Sequence, residues 1–332
     1  MMSTFWEGKR VLVTGAGGFI GSQLVEALLG QGARVRAFVR YNSRGDAGLL
    51  RLVPPDLAGR LEVVAGDLRE WQSVRQIVRD CEIVFHLGAL ISIPYSYHHP
   101  FEVAETNFMG TLNVLMACHY LGIGRVVHTS TSEVYGTARQ ALIDENHPLQ
   151  GQSPYSASKI GADKLAESFF CSYNLPVVTV RPFNTFGPRQ TARAVIPAII
   201  TQALARSTIQ LGNLSTTRDF TYVSDTVRGF LLAAEAQGVE GQVFNLGTGR
   251  EISVGDLARK IIGMVGKPVK IVLDPERLRP EPSEVMRLLS DNSRARECLG
   301  WQPEVSLEEG LDQTITWIRD HLDLYRVGVY EF

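Results

Sequence analysis

The segment from Val11 to Val25, VLVTGAGGFIGSQLV, constrains the fold of this chain more than any other part of it. A short β-branched run ends at Thr14, three glycines follow at intervals of three, and an amphipathic helix pattern comes next. A strand, a glycine turn and a helix N-terminus in this order bind pyrophosphate, because the helix terminus presents free N–H groups to an anion. The alternative is an ordinary strand-to-helix turn, but the position of the motif at the first strand favours a dinucleotide site.

The three glycines have different tasks in such a turn. Gly15 permits the tight turn, Gly18 lets the backbone approach the phosphates, and Gly21 lets the helix pack closely on the strand. Their spacing is G-x-x-G-x-x-G rather than G-x-G-x-x-G. The residues predicted to form this part of the cofactor site are Gly15, Gly17, Gly18, Phe19, Ile20 and Gly21.

The first half of the chain predicts a doubly wound α/β fold, because strand and helix patterns alternate as in a parallel sheet covered on both faces. The strand patterns lie at Arg34–Arg40, Leu61–Ala65, Ile83–His86, Arg125–Thr129 and Val177–Arg181, and two long helix patterns at Phe101–Leu121 and Pro154–Tyr173. We expect a Rossmann-type domain over residues 1–181, to which segments of about 219–247 return. A smaller α/β substrate domain is expected over residues 182–332, with the ligands at the carboxyl ends of the strands.

Composition argues against several classes of protein. The 332 residues are 45% hydrophobic and carry a formal net charge of −2, which is typical of a globular protein and favours neither nucleic acid nor a membrane as a partner. No apolar run reaches the roughly 18 residues of a spanning helix, so a cytoplasmic location is expected. The four cysteines have no C-x-x-C spacing, and no ligand set for a metal is evident.

Residues after the next strands extend the predicted cofactor site. Arg40 and Ser43 follow the second strand, where an acid usually binds the ribose of NAD; an arginine there suits a 2′-phosphate. NADP is therefore favoured over NAD, although the segment could also be a solvated basic loop. Asp67 can accept a hydrogen bond from the adenine amino group or cap a helix. The other predicted cofactor contacts here are Leu68, Leu87, Gly88 and Ala89.

Tyr155 and Lys159 are the sharpest chemical pair in the sequence. They are four residues apart near the start of a predicted helix, which puts both on one face about 6 Å apart along the axis. A lysine charge beside a phenol would lower the pKa of the phenol. A tyrosine tuned in this way can take a hydroxyl proton while hydride leaves the same carbon.

The segment Ser130-Thr131-Ser132-Glu133 follows the fifth predicted strand. Its hydroxyls could bind the substrate oxygen that Tyr155 deprotonates. Glu133 could remove a C–H proton and return a proton to a leaving hydroxyl, or it could be a surface residue. Tyr155, Lys159, Glu133, Thr131 and Ser132 are the predicted catalytic residues.

These motifs together resemble the extended short-chain dehydrogenase/reductase family over essentially the whole chain. The resemblance is carried by the glycine turn, Asp67, Asn107, the Ser130 segment, Tyr155-x-x-x-Lys159 and Arg181-Pro182-Phe183-Asn184. It implies that the N-terminal domain binds NAD(P), with Asn107 in that site. It further implies that the C-terminal domain binds a nucleotide-activated sugar.

Glu133 separates the subfamilies. Members that act as sugar 4-epimerases usually carry a small or hydroxyl residue at this position, whereas 4,6-dehydratases carry Glu. The Ser132-Glu133 pair is similar to that of GDP-mannose 4,6-dehydratases, while dTDP-glucose enzymes have Asp-Glu. The segments 93–97, 148–155 and 189–197 resemble bacterial nucleotide-N-acetylglucosamine 4,6-dehydratases of amino-sugar pathways.

The resemblance implies a hydro-lyase that converts a UDP- or GDP-linked hexose, with GlcNAc favoured, to its 4-keto-6-deoxy derivative. Its NADP or NAD would be tightly bound and regenerated. Because Ser132 is not an acid, Glu133 would serve as both base and acid. The alternatives are a nucleotide-sugar 4-epimerase, a non-catalytic NADP-binding protein and a reductase that consumes NADPH.

The predicted substrate contacts are Tyr95, Ser130, Asn184, Val195, Arg218 and Arg279. By the resemblance, the two arginines clamp the diphosphate, a task that suits bidentate guanidinium groups. Each arginine could instead form a surface ion pair, and Tyr95 could merely pack. The resemblance also implies a homodimer through a four-helix bundle of the helices 101–121 and 154–173. Its apolar contacts could come from Val114, Leu115, Ala166 and Phe169, which could equally belong to the core of the subunit.

Overall fold

The computed structural model describes residues 4–329, and its main feature is a seven-stranded parallel sheet. The strands are β1 (Arg10–Thr14), β2 (Arg34–Arg40), β3 (Leu61–Gly66), β4 (Ile83–His86), β5 (Arg125–Thr129), β6 (Val177–Pro182) and β10 (Val243–Leu246). Their order across the sheet is β10-β6-β5-β4-β1-β2-β3. The strand order reverses between β1 and β4, since β2 and β3 lie on one side of β1 and the later strands on the other; open α/β sheets bind ligands at such a switch point. The predicted doubly wound Rossmann-type class is confirmed.

Helices cover both faces of this sheet, so its inner strands β1, β4, β5 and β6 are almost continuously buried. The α-helices of the described residues are α1 (Phe19–Gly30), α2 (Trp71–Val78), α3 (Ile93–His98), α4 (Pro100–Ala104), α5 (Gly110–Leu121), α6 (Pro154–Tyr173), α7 (Val195–Ala205), α8 (Val223–Glu235), α9 (Val254–Val265), α10 (Ser293–Leu299) and α11 (Leu307–Asp320). Of these, α7, α9 and α11 pack against one another and against short strands outside this sheet. A π-helical turn at Glu105–Met109 joins α4 to α5. The helix expected at 101–121 is therefore interrupted by one wider turn.

A second group of short strands forms the smaller lobe. These are β7 (Asn184–Phe186), β8 (Thr208–Leu211), β9 (Thr217–Tyr222), β11 (Glu251–Ser253), β12 (Lys270–Leu273) and β13 (Arg287–Leu288). β9 pairs with β7, β11 and β13, while β8 pairs with β12. Of the segment 219–247 expected to return to the main sheet, β10 joins it and α8 packs against β5 and β6. Residues 219–222 instead lie in β9 of the smaller sheet.

The apolar residues suggested for a dimer contact lie inside the subunit. Val114, Leu115, Ala166 and Phe169 are at most 4% exposed and pack in one core cluster between α5, α6 and the sheet. The suggestion that they supply an intersubunit surface was wrong. A helical periodicity cannot distinguish the face turned to the sheet from the face turned outward.

The described residues include neither a disulfide nor a membrane-spanning helix nor a metal-ligand cluster. The four cysteines are free thiols, and Cys118 is buried. Among residues 4–329, no helix is long and apolar enough to cross a membrane, and no group of acids, histidines and cysteines could hold a metal ion.

Candidate active site

The glycine turn at the end of β1 is built for close backbone contact. Gly15 has φ +68°, and a Cβ added there would lie 2.8 Å from the backbone nitrogen of Gly88, which follows β4. The first residues of α1 have no side-chain cap, because the N-cap residue is Gly18. Free N–H groups at a helix N-terminus attract phosphate, and no side chain obstructs this cradle. The turn therefore fits the pyrophosphate of a dinucleotide.

Gly21→Ala should disrupt this turn. The added Cβ would lie 2.3 Å from the carbonyl oxygen of Gly15 and 2.9 Å from the Cα of Ala16. Both are backbone atoms, so relieving the overlap would require the turn itself to shift. We expect a loss of about 1–3 kcal/mol in the free energy of unfolding, with weaker dinucleotide retention. Denaturant unfolding and the bound cofactor content measure both effects. Gly30→Ala in the same helix is the control, since nothing lies within 4 Å of its Cβ; equal behaviour of the two variants would contradict the prediction.

The ends of β2 and β3, beside the glycine turn, carry paired charges. Arg40 is exposed, and its guanidinium lies 3.1 Å from the Glu102 carboxylate on α4. Asp67 is bound by Arg69 at 2.6 Å, and this hydrogen bond lowers the pKa of Asp67. Ser43 lies in an exposed loop whose Asn42 side chain bonds Arg44 and Asp46. Arg40 and Asp67 thus end neighbouring strands as predicted, but each already has a charged partner.

Local sequence fixes where helix α6 begins. Ser153 caps it in a reciprocal pair with Ser156, and Pro154 occupies the first turn, which suits its fixed φ and missing N–H. Tyr155 and Lys159 then fall on the face turned to the sheet, 6% and 4% exposed. The ammonium of Lys159 donates to the carbonyl of Thr129 at the end of β5, at 2.6 Å. The pair thus lies at the carboxyl edge of the sheet.

The direction of the pKa shift at Tyr155 differs from the expectation. Burial raises the pKa of this phenol, a hydrogen bond with Thr131 lowers it, and the charges of Glu133 and Asp163 raise it further. Burial also lowers the pKa of Lys159 to about 8, which Asp163 partly offsets. The expected lowering of the tyrosine pKa is therefore wrong for the chain by itself, since desolvation and the two carboxylates outweigh the hydrogen bond with Thr131 that lowers it.

Asp163, which the sequence reasoning missed, anchors the catalytic helix. Its carboxylate accepts hydrogen bonds from His128 at 3.1 Å, from Ser130 at 2.7 Å and from two nitrogens of Arg181 at 3.1 and 2.9 Å. Burial would raise the pKa of Asp163, but His128, Arg181 and Lys159 outweigh it and lower the pKa to about 2. Asp163 follows Lys159 by one helical turn, and that spacing was the only signal for it in the sequence.

Ser130 is turned away from the cleft, by which we mean the space around Tyr155, Glu133 and Arg218. The predicted substrate contact is 4% exposed, and its hydroxyl donates to Asp163. In contrast, Thr131 caps the short helix that follows β5 and accepts a hydrogen bond from the Glu133 backbone at 3.2 Å. Ser132 is buried, whereas Glu133 is partly exposed. The segment therefore presents Glu133 to the cleft beside Tyr155.

Asn107 and His86 belong to buried polar networks rather than to an open surface. In the π-helical turn, the Asn107 side chain bonds both backbone groups of Leu90 and donates to Ser158 on α6. It thereby fixes the loop after β4, which contains Leu87, Gly88 and Ala89. His86 contacts Thr14 and Thr111, and complete burial holds its pKa well below the ordinary value. His86 is a neutral core histidine.

The smaller lobe supplies a basic wall of the cleft. Arg218 on β9 is 7% exposed, and burial lowers its pKa, while the charges of Glu133 and Glu284 raise it. Arg279 lies 3.7 Å from the same Glu284 carboxylate. The Asn184 amide nitrogen is buried without a hydrogen-bond partner. A buried donor left open in this way is suited to a polar ligand. Glu284 was missed at the sequence level.

Two of the predicted substrate residues, Tyr95 and Val195, are partly exposed. Tyr95 on α3 donates to Glu102 at 2.5 Å and stacks on His99. Val195 is the first residue of α7 and is partly exposed. Leu68 is 8% exposed and packs in the core beside the cradle.

The chain is similar to enzymes that act on nucleotide sugars. The family model described as GDP-mannose 4,6 dehydratase matches residues 12–314. A UDP-glucose 4-epimerase of Mycolicibacterium smegmatis is 36% identical, covering 94% of this chain and 99% of that one. A dTDP-glucose 4,6-dehydratase of Streptomyces antibioticus is 33% identical over 94% and 93%. The solved structure of DesIV, a dTDP-glucose 4,6-dehydratase from Streptomyces venezuelae with NAD and TYD bound, has a TM-score of 0.87, with 31% identity over 96% and 99%.

Proposed function

Because the chain belongs to the GDP-mannose 4,6-dehydratase family within the extended short-chain dehydrogenases/reductases, we propose that it is a nucleotide-sugar 4,6-dehydratase. One observation carries the choice of reaction. Glu133 lies in the cleft within electrostatic reach of both Tyr155 and Arg218. A carboxylate between the predicted proton acceptor and the predicted diphosphate clamp is placed for a second proton transfer, which dehydration requires.

A nicotinamide dinucleotide fits the cradle described above. The glycine turn and the N-terminus of α1 would hold its pyrophosphate, and Asp67 and Arg40 lie toward its adenosine. When bound, a nicotinamide would supply the reversible hydride chemistry that oxidation at C4 and reduction at C6 require, and its positive charge would favour the phenolate form of Tyr155. Arg40 supports NADP ahead of NAD, because guanidinium matches phosphate geometry.

Tyr155 and Lys159 carry the first proton transfer in this proposal. Tyr155 takes the proton of the sugar O4 as C4 is oxidised to a ketone. The Lys159 ammonium stabilises the phenolate form of Tyr155 that accepts this proton, and its carbonyl contact with Thr129 fixes where the ammonium charge lies. Thr131, which is hydrogen-bonded to Tyr155, orients the phenol toward the cleft.

In this proposal Glu133 performs the elimination of water across C5 and C6. The C4 ketone acidifies the hydrogen on C5, and the Glu133 carboxylate removes it. The same group, now protonated, gives its proton to the departing C6 hydroxyl, which leaves as water. Ser132 is buried and has no acidic proton to offer, so a single carboxyl group performs both transfers. Return of the hydride to C6 and addition of a solvent-derived proton to C5 then give the 4-keto-6-deoxy sugar.

The substrate is proposed to be a UDP- or GDP-linked hexose, with N-acetylglucosamine as the first candidate and amino-sugar biosynthesis as its context. Arg218 and Arg279 would clamp the diphosphate, and the free amide of Asn184 would donate to it or to the sugar. The segments that resemble N-acetylglucosamine 4,6-dehydratases support the choice of sugar.

We also propose a homodimer through α4, α5 and α6, formed by exposed side chains rather than by the buried Val114, Leu115, Ala166 and Phe169. Large apolar side chains on these helices are exposed, namely Phe101, Met109, Tyr120 and Tyr173. Exposed apolar patches of this kind mark association sites. These side chains, rather than the buried set, are the surface that a second copy would cover.

Mass spectrometry of products tests the proposed reaction. The purified protein is incubated separately with UDP-GlcNAc, GDP-GlcNAc and GDP-mannose, without added reductant. We expect one substrate to lose one water, which names its nucleotide and sugar. The Mycolicibacterium relative favours 4-epimerisation as the second candidate. A product of unchanged mass with inverted C4 would establish that reaction and remove the role of Glu133.

A further inference from the structure

The cofactor edge of the cleft holds a three-membered polar chain that joins β2 to α3 and α4. The guanidinium of Arg40 lies 3.1 Å from one oxygen of Glu102, and the hydroxyl of Tyr95 donates to the other oxygen at 2.5 Å. Arg40 and Glu102 are 62 residues apart in sequence. The side chain of Arg40 is 64% exposed, whereas Glu102 is 26% exposed and is held by Tyr95. The carboxylate is thus fixed, and the guanidinium reaches across to it.

A second group of charges, centred on Arg69, lies beside this chain and interacts with it through space, since Arg40 acts on Asp67 and Arg69 on Glu102. Arg69 binds Asp67 at 2.6 Å and lies 3.6 Å from Glu105, one turn after Glu102. Asp67 and Glu105 are therefore satisfied mainly by Arg69. The Glu102 carboxylate, in contrast, contacts the guanidinium of Arg40 and the hydroxyl of Tyr95 directly.

We propose that Glu102 is a specificity-determining residue for the dinucleotide, because it competes with the 2′-phosphate of NADP for Arg40. This inference rests on the proposed nicotinamide dinucleotide site. An arginine at the end of the second strand is the group that accommodates a 2′-phosphate. NADP would have to draw Arg40 away from a carboxylate that Tyr95 holds in place, whereas NAD leaves the pair intact.

The electrostatics give the expected direction. A 2′-phosphate brings close to two negative charges near pH 7, and the Glu102 carboxylate beside its partner repels them. The ribose hydroxyl of NAD is neutral and experiences no such repulsion. Glu102 therefore narrows the preference for NADP that Arg40 creates.

Competitive retention of the two dinucleotides tests this role without an activity assay. Each protein is equilibrated with equimolar NAD⁺ and NADP⁺ and desalted rapidly, and the dinucleotides are released by denaturation and quantified. We expect Glu102→Gln to raise the ratio of bound NADP to NAD about tenfold over the natural protein. Glu105→Gln is the matched control. It removes the same charge one turn after Glu102, but the Glu105 carboxylate faces Arg69 rather than Arg40. The ratio of bound NADP to NAD in this variant should stay near that of the natural protein.

Two further variants show whether the effect acts through Arg40. Arg40→Gln should lower the NADP share, and adding Glu102→Gln to it should change the ratio by far less than tenfold. If Glu102→Gln matches Glu105→Gln, or keeps its full effect without Arg40, the proposed competition is wrong. If the natural protein retains neither dinucleotide, the proposed cofactor site fails and this inference falls with it.

Discussion

Glu133→Gln should abolish the loss of water while leaving the dinucleotide bound. Glutamine keeps the size and the partly exposed position of the side chain but cannot accept the C5 proton. General acid–base catalysis contributes 10²–10⁴-fold per group, and here one carboxyl group performs two transfers. We expect the rate of product formation to fall by about 10³-fold or more. The measurement is product mass against time, together with the cofactor content of the purified variant.

Exchange of the C5 hydrogen with solvent shows whether Glu133→Gln has lost the proton transfer at C5. In D₂O the natural protein should incorporate deuterium at C5 of its product, and Glu133→Gln should not. Glu167→Gln on the outer face of α6 is the charge-matched control, because its carboxylate is 56% exposed and pairs with Lys164. Retention of full dehydratase activity by Glu133→Gln would refute the assigned role and reopen epimerisation.

Asp163→Asn should give the largest loss of stability. Asp163 and Arg181 are both at most 5% exposed and are paired at 2.9 Å, so the substitution leaves a buried guanidinium without its counter-charge. Breaking a buried pair from one side costs about 3–5 kcal/mol in the free energy of unfolding. Denaturant titration of both proteins near pH 7 measures the difference. Ser130→Ala is the control, since it removes one hydrogen bond to Asp163 and no charge, at a cost of about 1 kcal/mol.

The pH dependence of this difference has a defined sign. The pKa of Asp163 is lowered from 3.8 to about 2 in the folded chain. A lowered carboxyl pKa contributes stability that is fully present above the unfolded value and is lost as pH falls toward the folded one. The gap between the natural protein and Asp163→Asn should therefore be constant near neutrality and shrink between about pH 4 and pH 2. A gap that instead shrinks above pH 5 would show that another group is responsible.

The fold could be predicted because its signals are local. The glycine turn, the β-branched runs and the Ser-Pro start of α6 each fix a short stretch of backbone. The strands at 34–40, 83–86 and 125–129 and the helix at 154–173 have their predicted bounds. The interruption of the helix at 105–109 and the placement of 219–222 in the smaller sheet were not predictable. Both depend on what packs against those segments rather than on their own residues.

The amino-acid sequence by itself determined the α/β architecture, the cradle of glycines and the presence of Tyr155, Lys159 and Glu133 at the edge of the sheet. The tertiary structure alone decided what surrounds them. It joined His128, Asp163 and Arg181 from β5, α6 and β6, and it set Glu102 against Arg40. It also decided that burial raises the pKa of Tyr155. Charge interactions and desolvation depend on distance in space, and a periodic pattern along the chain does not contain that distance.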